Sequence, residues 1–202
     1  FAMGGDGKWW DGGKGGGKKR GRKHAFKILC PDLLITELMG PRGTAKEQLE
    51  EETRCKIIFS KRDEFFPGTL CRTLCIYADE PETIVAVLER IVDYVIVLGE
   101  QGDADFAGKE DGTFLMRVAV SVRMCGAIIG PKGVNIQAIR DETGAKLVVD
   151  KNNHLGHQMI NVMAPPDMLK LALARISDYV QAEAGTEEFT QWGTVRVFSE
   201  EG

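Results

Sequence analysis

Long apolar runs are missing: no uninterrupted stretch approaches the roughly 18 residues of a membrane span, so no membrane association is expected. The N-terminus is glycine-rich and basic and lacks the apolar segment of a secretory signal peptide. Histidine is scarce, with only His24, His154 and His157. The last two form a His-x-x-His pair without a cysteine pair beside it, which predicts surface-loop residues rather than a zinc site. No Gly-Lys-Ser/Thr follows the glycines of Gly126 to Gly133, so a nucleotide phosphate loop would lack its Mg²⁺-binding hydroxyl. No acid/base pair or activated nucleophile emerges from the spacing, and neither catalysis, nor a metal, nor a cofactor is expected. The five cysteines are an odd number in a chain able to build real cores, which predicts reduced thiols and an intracellular setting, nuclear or cytoplasmic. Among them, Cys71 and Cys75 are expected as buried thiols on one face of a strand.

What remains is an ordinary globular mixture, 43% apolar and 28% charged, in 202 residues. The net charge of -4 hides an asymmetry. Residues 1–27 carry eight Lys/Arg against Asp6 and Asp11, a net of +6, and the rest of the chain a net of −10. A basic arm over residues 1–24 on an acidic body suits a polyanion partner. Trp9 and Trp10 within it could stack on bases.

The body is a repeat. Gly40-Pro41-Arg42-Gly43 recurs 90 residues later as Gly130-Pro131-Lys132-Gly133, and Arg90 to Val95 recurs 85 residues later as Arg175 to Val180. The offset shortens between Lys61 and Tyr77, as in a tolerant surface loop. Each copy reads strand (Ala25 to Cys30; Thr113 to Val120), helix (Pro31 to Met39; Ser121 to Ile129), and second helix (Thr44 to Thr53; Val134 to Thr143). Two β-rich runs follow (Cys55 to Phe59 and Leu70 to Ala78; Ala145 to Val149 and Gln158 to Ala164). A long amphipathic helix closes each copy, after Pro81 and after Pro165-Pro166. The order β-α-α-β-β-α, twice, predicts an α+β fold with helices on one face of each three-stranded sheet. The tail from Thr194 to Phe198 alternates like a strand, with no assigned place.

With 24 glycines in the chain, a bare Gly-x-x-Gly carries no weight. Its position does: in both copies it joins two short helices and follows an apolar pair, Leu38-Met39 or Ile128-Ile129. Glycines there let a nucleic-acid backbone approach, the next helix offers free N–H groups, and Arg42 or Lys132 supplies a cation for phosphate.

On these residues both copies resemble type I KH domains, which clamp about four nucleotides with a GXXG loop. The second copy, Val120 to Ile136, follows the family core I-I-G-x-x-G-x-x-I and is similar to the poly(C)-binding, heterogeneous nuclear ribonucleoprotein K and Nova modules. The first copy departs: Lys46 stands where the second has Ile136, Thr36 where it has Gly126, and Glu47, Glu50, Glu51 and Glu52 crowd its second helix. The resemblance implies KH domains at 25–98 and 113–182, an acidic linker at 99–112 and a tail at 183–202. It implies a groove floored in the second copy by Ile128, Ile129, Ile136 and Val148. Lys146, and Lys56 in the first copy, match a strand position that reads base edges, with Arg140 and Arg123 as further candidates. The expected ligand is single-stranded RNA, with single-stranded DNA as its near relative, in post-transcriptional regulation of mRNA. A narrow apolar floor and a donor at Lys146 favour pyrimidines, cytosine first. The competing reading is a protein–protein adaptor that uses the acidic body. A flexible linker would span about 20–23 Å and let both sites share a strand.

The arm makes its own prediction. Each phosphate contact changes log affinity by about 0.7 per log unit of salt on single strands. Removing residues 1–23 is therefore expected to weaken RNA binding alike for all sequences and to flatten its salt dependence. A shifted motif preference at an unchanged salt slope would contradict it, and titrations at several salt concentrations decide.

Overall fold

A computed structural model describes residues 22–199. The arm tryptophans Trp9 and Trp10 and most of the arm lie outside the described residues. The first unit runs β1 (His24–Cys30), α1 (Asp32–Met39), α2 (Thr44–Thr53), β2 (Lys56–Phe59), β3 (Arg72–Ala78) and α3 (Pro81–Glu100). The second runs β4 (Phe114–Ser121), α4 (Val122–Ile129), α5 (Val134–Thr143), β5 (Lys146–Val149), β6 (His157–Ala164) and α6 (Pro166–Ala182). Both therefore take the expected β-α-α-β-β-α order. Ser121 caps α4 by accepting from the Met124 amide at 3.0 Å, while Pro81 and Pro166 open the two long helices.

The two units share one antiparallel sheet, ordered β2-β3-β1-β4-β6-β5. At the seam Ile28 faces Val118, and these are the same position of the two copies. A twofold axis through that pair, normal to the sheet, therefore relates one unit to the other. It puts all six helices of the repeat on one face and leaves β2 and β5 as the two outer edges. Ile28, Val118, Ile76, Ile160 and the inner faces of α3 and α6 are fully buried in one continuous core. Lys170 on α6 also reaches Asp93 on α3 at 2.7 Å.

The linker does not behave as a free tether. Phe106 is buried, the Leu115 amide donates to its carbonyl at 2.9 Å, and Ala107 pairs with Phe114. The tail adds a helix before the strand-like stretch, which itself runs extended without joining the sheet as a strand. Glu187–Thr194 forms α7, capped by Thr186, and the chain then runs extended until Ser199 bridges Phe65. This segment covers the sheet face that the other helices leave bare. There Tyr77 donates its hydroxyl to the Gly193 carbonyl at 2.6 Å, and Val197 packs with Leu29, Phe66, Cys71 and Ala119. Strand β3 starts after Cys71, and all five cysteines are free and buried, as expected.

His157 corrects the surface-loop expectation. It opens β6, is 2% exposed, and accepts at Nε2 from Lys27 Nζ at 2.9 Å. Its Nδ1–H then donates to the Leu155 carbonyl at 3.1 Å. Lys27, equally buried, also donates to the Val195 carbonyl at 2.8 Å and stands 5.4 Å from the centre of the Trp192 ring. One ammonium thus ties β1 of the first unit, β6 of the second and the tail together. Burial, with the Cys75 thiol opposing, brings Lys27 down to about 8. Burial and the Lys27 charge bring His157 down to about 3.

Below pH 6.5 the unfolded chain takes a proton on His157 that the folded chain refuses, so stability falls as pH drops from 6.5 towards 3. One such group contributes a slope of up to about 1.4 kcal/mol per pH unit. Urea denaturation between pH 6.5 and 5, above most carboxylate titration, is expected to show it, and His157→Gln is expected to lose that part of the slope.

Candidate nucleic-acid interface

Both glycine loops adopt one backbone. Gly40 and Gly130 have φ of 65° and 74°, and Gly43 and Gly133 have 78° and 76°. Between them Arg42 and Lys132 are held left-handed at 55° and 53°, although neither is a glycine. Such strain persists only where the surroundings impose it, and it gathers at ligand clamps. Both cations are exposed, and neither has an ion-pair partner among the described residues. The first-turn amides of α2 and α5 follow directly; Thr44 and Val134 donate back to the Pro41 and Pro131 carbonyls, and the amides after them lack intrahelical acceptors. Asn135 anchors the second loop by donating Nδ2 to the Ala127 carbonyl at 2.9 Å. A Cβ on Gly130 would stand 2.5 Å from Asn135 Cγ, and one on Gly40 would stand 2.6 Å from Ala45 Cβ.

Beside the second loop a depression of about 590 Å³ runs along α5, lined by Lys132, Gly133, Val134, Ile136, Gln137, Ala138, Arg140 and Asp141. That is within the range of about 300–1,000 Å³ usual for ligand clefts. Arg140 donates Nη2 to the Leu147 carbonyl at 2.9 Å, which carries its guanidinium across from α5 to the edge strand β5. Lys132, Gly133, Ile136 and Arg140 are thus brought together, with Gly130 and Pro131 in the same loop. Ile129 is half-buried against the core beside them.

Other expected residues go elsewhere. Ile128 is fully buried and packs in the core, and Ile136 at the edge of the depression is itself only 5% exposed and part of the same core. Strand alternation turns Val148, 49% exposed, away from the helical face, and Val149 is the half-buried neighbour that packs on the core with Leu147. Lys146 Nζ pairs with Glu110 of the linker at 2.5 Å. Arg123, in the first turn of α4 at the end away from the loop, pairs with Glu183 at 2.6 Å and Glu188 at 3.4 Å.

In the first unit Gly40, Pro41, Arg42 and Gly43 repeat the loop, but the space beside α2 holds a different chemistry. Glu50 accepts from Lys46 Nζ at 2.6 Å and from the Ile57 amide at 3.1 Å, with Lys56 Nζ at 3.3 Å. Burial would raise the Glu50 carboxyl, yet the Lys46 and Ile57 hydrogen bonds and both lysine charges outweigh it and hold the group below the usual range. Glu50 and Arg140 are the same position of the repeat, as are Ile57 and Leu147. The partners are inverted: a carboxylate takes a strand N–H in one unit, and a guanidinium gives to a strand carbonyl in the other. Sequence reading passed over Glu50 as one acid among several, although the offset of 90 already set it opposite Arg140.

The sequence profile of the KH domain matches residues 25–93 and 115–178. Among curated proteins the chain is similar to the RNA-binding protein Pasilla of Drosophila melanogaster, at 26% identity over 130 residues, 62% of this chain and 16% of that protein. It is also similar to the RNA-binding protein Nova-2 of Homo sapiens, at 23% over 173 residues, 80% of this chain and 35% of that protein. The chain thus spans well under half the length of either relative. A solved structure of Dim2p from Pyrococcus horikoshii OT3 aligns at 16% identity over 85% of this chain and 98% of that one, with a TM-score of 0.31, too loose a likeness to argue from.

The loop geometry separates its two glycines. Gly130→Ala meets both a left-handed φ and the Asn135 side chain, whereas at Gly133 the nearest atom, Ile136 Cγ2, is 3.9 Å away. Gly133→Ala is expected to cost about 1 kcal/mol of stability and Gly130→Ala about 2 kcal/mol or more, read by urea denaturation.

Proposed function

Because this chain belongs to the KH domain family, in two copies, we propose that it binds single-stranded RNA without catalysing a reaction. The observation that carries the reading is the pair of glycine loops with one shared strained backbone, each presenting an outward cation with no carboxylate partner among the described residues. The glycines admit the sugar–phosphate chain, the helix N-terminus and Lys132 or Arg42 take up its charge, and bases enter the depression along α5. Two of the curated relatives are RNA-binding proteins by name, which supports the same reading.

Base choice falls to Ile136 and Arg140, with Val149 in place of Val148 on the core side of the edge strand. Lys146 is drawn to Glu110, so Arg140 is the better placed donor for the O2 and N3 acceptors of cytosine. A planar guanidinium discriminates more sharply than an ammonium, so a preference for pyrimidines rests on it. Stacked bases of an A-form duplex cannot enter such a cleft. Regulation of mRNA is the process that such binding serves.

Pro131→Asp with Lys132→Asp keeps the glycines and sets two carboxylates against the phosphate. Fluorescence anisotropy with a pool of short single-stranded RNAs is expected to show at least a tenfold loss of affinity at an unchanged melting temperature. Undiminished binding, or equal binding to blunt duplex RNA, would sink the reading in favour of an adaptor.

A further inference from the structure

The two units carry the same loop and opposite grooves, and the difference lies in two side chains and in the partner that one shared lysine, Lys56 or Lys146, takes. In the second unit the groove position nearest the loop is apolar, Ile136, and the next turn of the helix offers the Arg140 guanidinium. In the first these positions are Lys46 and Glu50, and Lys56 closes on them from the strand. The Glu50 side chain is only 13% exposed, and both of its oxygens are engaged: Oε1 by Lys46, Oε2 by the Ile57 amide and Lys56. Resting on the RNA-binding reading, we infer that the first groove is held shut by the Lys46–Glu50–Lys56 ion pairs, so that this module grips phosphate through its loop and reads no bases.

Three physical arguments support the assignment. A base entering between α2 and β2 must part Glu50 from Lys46 or Lys56, leaving a largely buried carboxylate short of its partners, which is a costly state. The phosphates on either side of that base would meet Glu50 together with Glu47 and Glu51 of the same helix. No apolar side chain stands at position 46 to take a base face, because Lys46 lies along the helix towards Glu50 as an i, i+4 pair. Nothing in this lock reaches the Gly40–Gly43 loop, whose backbone angles match those of the second loop within about 10°, the scatter of ordinary elements being larger. Arg42 therefore keeps its place for a phosphate. The result is a division of labour: one module selects sequence, and the other adds salt-sensitive, sequence-blind affinity.

The test uses the whole chain and a random pool of single-stranded hexanucleotide RNA, long enough for one module and too short to span both. Isothermal titration is expected to find one saturable site per wild-type chain. The exchange Lys46→Ile with Glu50→Arg is expected to raise this to two. In the Pro131→Asp, Lys132→Asp background the same exchange is expected to restore binding that Arg42→Asp then removes. Wild-type amide shifts offer a check that needs no variant. RNA is expected to move Val134–Thr143 and Lys146–Val149 together with both loops, and to leave Lys56–Phe59 where it is. Two sites in the wild-type chain, or RNA-induced shifts along Lys56–Phe59, would overturn the lock while leaving RNA binding intact. A folded exchange variant that still binds one hexanucleotide would overturn it too. No binding by the wild-type chain would remove the RNA reading itself.

Discussion

Everything in this molecule turns on the pairing of β1 with β4. A three-stranded sheet exposes edge strands whose N–H and C=O groups seek partners. Here one edge of each unit is satisfied by the other, at Ile28 and Val118. The fusion makes one sheet with one helical face, and it places α3 against α6 without further design. It also creates a broad second face with no helices of the repeat to cover it. The C-terminal segment answers that need: Phe189, Trp192 and Val197 are each at most 6% exposed on it. Burying side chains of this size stabilises by about 1.5–3 kcal/mol each before entropy is counted. Lys27 sits beneath them at the junction of both units and the tail. Its ammonium has no carboxylate partner among the described residues and relies on a carbonyl, an imidazole and an indole face. A buried cation of this kind tolerates few alternative arrangements, so it fixes how the tail lies as much as whether it lies there.

The repeat was legible because its signals are local. Alternation marks the strands, spacing marks α3 and α6, and the glycine loop falls at the same place in each copy. What escaped was set by contacts distant in sequence. Helix α7, EEFTQWGT, has a weak intrinsic case, with Gly193 and four poor helix formers in eight residues. It is held by Trp192 on Lys27 and by Tyr77 on Gly193, partners more than 110 residues away. His157 read as a loop residue because nothing near it in the chain shows that Lys27 will arrive beside it. The seam itself pairs residues 90 apart, beyond any windowed pattern.

The site was legible to the extent that it is made of loop. Gly130 to Gly133, Ile136 and Arg140 come together because one turn and one helix carry them. Residues contributed by the strand depend on register and on which side each faces, and a shift of one residue reverses that side. Hence Val149, not Val148, is the valine that lies on the core side of the strand. Charged side chains went wherever a carboxylate lay within reach, Lys146 to Glu110 and Arg123 to Glu183. That choice belongs to the folded surface and cannot be read from a lysine in a row of letters.

The twofold seam also gives the asymmetry between the units a reason. An axis normal to the sheet sends the two grooves to opposite edges, five strand spacings apart or about 24 Å, and runs them in opposite directions. Nucleic acid has a polarity, so one strand can lie in both grooves only by reversing its course between them. A flexible linker would let either unit turn to meet the strand, but Phe106, the seam and the Lys27 junction hold them still. In such a frame a second reading groove forces the ligand into a bend, whereas a second phosphate-gripping loop imposes no base register. Closing the groove beside α2 while keeping its loop is the arrangement in which a rigid, oppositely directed pair still acts on one strand.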